Sequence, residues 1–67
     1  MNYSPKHLIK LLEDKGYHFK RVNGSHHIYF HQEFKKTVVV PVHGNKDIPK
    51  GTFMSIIKQA GISKDEI

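Results

Sequence analysis

The stretch Asn23-Gly24-Ser25-His26-His27-Ile28-Tyr29-Phe30 decides how this chain folds. Asn-Gly is the strongest short hairpin signal, because both residues tolerate a positive φ in a tight turn. Residues 17–22 before it alternate in type and read as one strand, and residues 25–31 read as its partner. The turn therefore delivers His26 and His27 to the start of a strand. Histidine is the side chain that both takes and gives a proton near neutral pH.

Working outward, residues 32–36 are polar and read as a loop. Residues 37–42 are β-branched apart from Pro41 and read as a third strand. Proline cannot donate to a ladder, so Pro41 belongs at a strand end or an edge. Upstream, Ser4 is placed to cap a helix that Pro5 opens and Gly16 stops. Leu8, Ile9, Leu11 and Leu12 form its apolar stripe. Downstream, residues 43–48 are a loop and residues 49–60 a second helix, with Phe53, Ile56, Ile57 and Ala60 inward and Gly61 as its stop. The tail, residues 62–67, either docks or frays. The order α-β-β-β-α predicts an α+β fold, a three-stranded antiparallel sheet with both helices on one face.

A turn centred on Asn23-Gly24 pairs Arg21 with His26 and Phe19 with Ile28. A second turn centred on Phe34 pairs Ile28 with Val40. Opposed residues share a face. The expected core face then carries Tyr17, Phe19, Ile28, Phe30, Val38, Val40 and Val42, with Arg21 and His26 at its margin. The expected open face carries His18, Lys20, His27, Tyr29, His31 and Thr37. A one-residue slip in the second turn exchanges these faces between strands.

The 67 residues make a single domain spanning the whole chain, with one thin core. Eleven Lys+Arg against six Asp+Glu give a formal charge of +5, spread along the chain. Such a surface serves solubility or attracts phosphate. The absence of cysteine excludes disulfides and zinc–thiolate sites. No apolar run approaches the roughly 20 residues of a membrane span, and no apolar signal segment begins the chain. These features read as a complete cytoplasmic protein with no membrane partner.

Cleaving RNA without a metal needs a base for the 2′-OH, an acid for the leaving 5′ oxygen and donors for the phosphate. An imidazole half-buried beside a cation is biased towards its neutral, base-competent form. On the expected register His26 fills that role. His43, after the third strand, reaches the same sheet end as a second acid/base. Lys20, Arg21 and the N–H groups around Gly24 and Ser25 are the candidate phosphate holders. Tyr29 is placed to stack on a base, and Lys50 lies at a helix start where free N–H groups favour anions. A metal is not expected. His27 and His31 share a strand face but stand about 13 Å apart at the usual strand rise, and no H-E-x-x-H occurs. No cofactor motif is present.

Gly24-Ser25-His26-His27, then Val39-Val40-Pro41-Val42-His43, Ile48-Pro49-Lys50-Gly51-Thr52 and Ala60-Gly61-Ile62 resemble the HicA (YcfA-like) toxin family of bacterial toxin–antitoxin pairs. The resemblance covers nearly the whole chain. It implies a fold like the double-stranded-RNA-binding domain and an mRNA interferase that cleaves mRNA and stalls translation. It also implies a HicB-like antitoxin that covers the active site. The family's catalytic histidine follows Gly-Ser and maps onto His26, with the adjacent His27 as the alternative. Gly24 matches the family's turn glycine. A non-catalytic RNA-binding module of the same fold is the competing reading. A protein-interaction domain for an acidic partner overlaps the first, because an antitoxin is such a partner.

Overall fold

A computed structural model describes residues 2–67. Helix α1 spans Pro5–Lys15, strands β1, β2 and β3 span His18–Asn23, His26–His31 and Lys36–Pro41, and helix α2 spans Lys50–Gln59. The strands form one antiparallel sheet in the order β1-β2-β3. The expected α-β-β-β-α architecture is therefore present, with element ends within one or two residues of the expected ones.

Local chemistry sets those ends. The Ser4 side chain accepts the His7 N–H, and Pro5 occupies the first turn where its missing N–H costs nothing. Gly16 closes α1 at φ 107°, donating back to the Leu12 and Glu13 carbonyls. Helix α2 has no side-chain cap and starts after Pro49. The tail docks. Ser63 and Glu66 form a capping box on a single 3₁₀ turn, Lys64–Glu66, and Glu66 meets Lys15 at 3.4 Å.

Both helices pack over β3, and β1 is exposed along its whole length. The core joins Leu8 and Leu12 of α1, Phe53, Ile56 and Ile57 of α2, and Tyr17, Tyr29, Val38 and Val40 of the sheet region, with Ile48, Ala60 and Ile62 closing it. Tyr17 donates from its hydroxyl to the Ala60 carbonyl at 3.1 Å inside this core. Burying that ring raises its pKa, because the phenolate would lose its water.

The register corrects the expected faces on β2. The two turn residues are Gly24 and Ser25, not Asn23 and Gly24, and Asn23 pairs with His26. Positive φ falls on Gly24 alone, which leaves Asn23 free to stay in the strand. A bulge between Phe19 and Arg21 then makes Lys20 the extra residue, so Phe19 faces Tyr29 and not Ile28. The second turn closes on His31 and Lys36, with Lys35 left-handed at φ 56°. That choice pairs Tyr29 with Val38 where Ile28 with Val40 was expected. Val38 and Val40 keep their core places, but β2 turns over. His27, Tyr29 and His31 face the helices, while His26, Ile28 and Phe30 look outward with Arg21 and Val39.

Tertiary bonds show why this arrangement wins. His31 is 7% exposed and fully partnered. It accepts the Phe34 N–H at Nδ1 and lies 3.1 Å from the Lys15 carbonyl at Nε2, stacked on Phe34 and edge-on to Tyr17. A buried polar group needs its partners, and the outward alternative would forfeit these. Ile28 and Phe30 remain half-buried by lateral packing, and the Lys20 ammonium sits 5.3 Å from the Phe30 ring centre.

Candidate active site

Because the helices stop short of β1, the helix-side face is uncovered along that edge strand. Phe19 and Val22 of β1 lie there, 53% and 52% exposed. His27 pairs with Val22 on one side and with fully buried Val40 on the other. Its ring is half-buried, 6.1 Å centre to centre from Phe19. Its Nδ1 is enclosed and has no hydrogen-bond partner, the one such side-chain atom among the described residues. An orphaned buried nitrogen costs about 1–3 kcal/mol of lost hydration. A native fold that carries such a cost calls for an explanation, and a functional role is one.

His26 projects from the opposite face, exposed, between Asn23 and Pro41. The margin position expected of it is held by His27. Arg21 and Lys20 lie on the outer face of β1 with His26, while Gly24 and Ser25 form the turn itself. The turn is tied to the end of β3, since the Val42 N–H donates to the Ser25 carbonyl at 2.8 Å. That bond holds His43, the next residue, at the hairpin end, where it is exposed. Lys50 is exposed as the first residue of α2.

Tyr29 departs from its expected place. It is 5% exposed in the core, so its ring offers no face to a base. Its hydroxyl pKa is raised by burial and, secondarily, by the Glu13 carboxylate. The exposed aromatic beside the histidine is instead Phe19, which the expected register had assigned to the core. Both rings lie on the helix side, but the helices cover Tyr29 and stop short of β1, a limit that no residue in that stretch announces.

Among the described residues no three His, Cys, Asp or Glu side chains gather as a metal-ligand set. None of the described helices is long and apolar enough to cross a membrane. No curated protein matches the chain. A family model does. The HicA toxin of bacterial toxin–antitoxin systems matches residues 5–62, from the first residue of α1 to the core residue Ile62 beyond α2. A match of that extent takes in both helices, the whole sheet and the histidine turn, and the chain therefore belongs to the HicA toxin family of bacterial toxin–antitoxin systems.

Proposed function

We propose that this toxin is a metal-independent endoribonuclease that cleaves mRNA, with His27 as the general base. The observation that carries the assignment is the enclosed, unpartnered Nδ1 of His27 beside an open corner of the sheet. Partial burial at the turn was the criterion that pointed to His26 on the expected register. On the observed register the same criterion selects His27.

In this mechanism His27 Nε2 takes the proton of a ribose 2′-OH. The 2′ oxygen bonds to phosphorus, and the bond from phosphorus to the 5′ oxygen breaks. His43, held at the same end of the sheet, returns a proton to that oxygen. The products are a 2′,3′-cyclic phosphate and a 5′-hydroxyl. Lys20, Arg21, the N–H groups of Gly24 and Ser25, and Lys50 supply the positive field that draws in phosphate. A toxin of this family has an antitoxin partner, and a HicB-like antitoxin that buries the His27 corner would silence it.

The test is cleavage of a long mRNA in EDTA by the wild type, His26→Ala and His27→Ala, with product ends mapped. General-base removal lowers rates by about 10²–10⁴-fold. That loss is expected for folded His27→Ala and not for His26→Ala. The reverse pattern moves the base to His26. Cleavage that requires added metal sinks the mechanism. RNA binding without cleavage by any of the three identifies the non-catalytic module.

A further inference from the structure

We propose that Phe19 is the stacking platform for a nucleobase of the RNA substrate, holding the adjoining ribose against His27. The inference rests on the ribonuclease reading and adds a binding subsite to it.

The bulge at Lys20 is the first observation. Without the extra residue, strict alternation would set Phe19 on the outer face with Arg21, Ile28 and Phe30. With it, Phe19 turns to the His27 side while Arg21 stays outside. A bulge sacrifices ladder pairing, and its usual effect beside a functional group is to re-aim one side chain. Here the re-aimed side chain is an aromatic ring 6.1 Å from the imidazole.

The second observation is that the fold makes little use of this ring. Phe19 is not part of the buried core. It rests edge-on against Tyr29 at 5.7 Å and leaves 53% of its surface in water. A large exposed apolar residue on an edge strand invites association, and a ligand that covers the ring would relieve that exposure. Charge selects the ligand's class. Lys20 and Arg21 lie on the other face of the strand, but β1 holds no acid and the chain carries +5. An exposed aromatic face on a cationic chain fits a base joined to a phosphate. A second copy of this cationic chain would be repelled. Every base has a π-face, so the subsite discriminates weakly among the four.

The chain lacks tryptophan, so Phe19→Trp gives a clean reporter. In a His27→Ala background, which leaves the RNA intact, a single-stranded oligoribonucleotide should quench its emission saturably. In the active protein, Phe19→Ala and Phe19→Leu should raise KM for RNA by about ten-fold or more, with kcat changed less, and Phe19→Tyr should restore it. Phe19→Leu keeps an apolar side chain against Tyr29, so its loss cannot be ascribed to packing. Unquenched emission, or a Leu variant as good as wild type, overturns the subsite. Loss of antitoxin binding with unchanged RNA kinetics does so too, and assigns the ring to the protein partner. Quenching in a protein whose wild type cleaves no RNA would retain the subsite and remove the ribonuclease reading.

Discussion

His27 and His31 stand on the same face of β2, four residues apart, and the fold treats them in opposite ways. His31 spends both ring nitrogens on the backbone, at Phe34 and Lys15, and lies between two aromatic rings. His27 has one nitrogen enclosed without a partner and the other at an open corner. The difference comes from what lies above the strand. The end of α1 and the loop after β2 close over His31, whereas β1 beside His27 is exposed. A histidine whose nitrogens are both engaged holds a structure together. One left incompletely partnered at the rim of a core has no such structural duty.

The sharpest way to break this contrast is to truncate each residue and measure two things. His27→Ala should lower RNA cleavage by about 10²–10⁴-fold with little change in denaturant midpoint. His31→Ala should do the opposite. Deleting the ring strands the Phe34 N–H and the Lys15 carbonyl and leaves a cavity, a loss of about 2–4 kcal/mol in chemical denaturation. Activity per folded molecule should persist. A His31→Ala protein that is stable but inactive would reverse the two roles.

Next in size is Gly16, which separates α1 from β1 directly against His31. A Cβ there would lie 2.7 Å from His31 Nε2, and the backbone sits at φ 107°. Gly16→Ala therefore combines a clash with left-handed strain and should cost about 2 kcal/mol or more. In a His31→Ala background the clash is gone and only the strain remains. A double-mutant cycle should show a smaller Gly16→Ala penalty there. Simple additivity would mean that His31 yields freely and does not brace this junction.

These details also mark what the amino-acid sequence discloses. The helices were legible because Ser4, Pro5 and Gly16 carry local, short-range instructions. Strand existence was legible from alternation and from the β-branched run ending at Val42. Strand facing was not, because it depends on parity. One extra residue at Lys20 and one position in the loop before Lys36 exchanged Ile28 and Phe30 for His27, Tyr29 and His31. No local propensity encodes that choice. The observed facing is the one in which both ring nitrogens of His31 find partners. The candidate site inherited the same ambiguity. The histidine pair was visible at once, but which member lies at the core margin was a question of register, and the exposure of Phe19 depended on how far the helices reach over the sheet.

Tyr17 tests the covered end at lower amplitude. Tyr17→Phe keeps the ring against His31 and removes only the bond to the Ala60 carbonyl, a loss of about 1 kcal/mol. The pH dependence has a definite sign. The folded-state pKa is raised by burial, so the neutral hydroxyl is the native form. Its contribution is complete below the unfolded tyrosine value of about 10 and declines as pH rises through the higher folded value. Wild-type stability should therefore fall in alkali more steeply than that of Tyr17→Phe. Tyr29, buried on the same face with its pKa also raised, keeps a residual alkaline slope in both proteins.

The smallest effect concerns the tail that closes over the same end. Glu66 accepts the Ser63 N–H at 2.7 Å and meets the Lys15 ammonium at 3.4 Å, so one residue supplies both His31's carbonyl partner and the tail's cation. The Ser63 bond, and then Lys15, hold the Glu66 carboxyl below its usual range. A lowered folded pKa means that this contribution is present above the unfolded glutamate value and is lost as pH falls through the folded one. Both side chains remain partly exposed, so Glu66→Gln should move the melting temperature only slightly, and less still in high salt. Its value lies in amide exchange. If the tail buttresses the covered end, Glu66→Gln should speed exchange at Ser63 and at Phe34, whose N–H depends on His31, and leave the His27 corner unchanged. Equal acceleration at both ends of β2 would mean that the strand opens as one unit, and the contrast between its two histidines would then lie in side-chain partners alone.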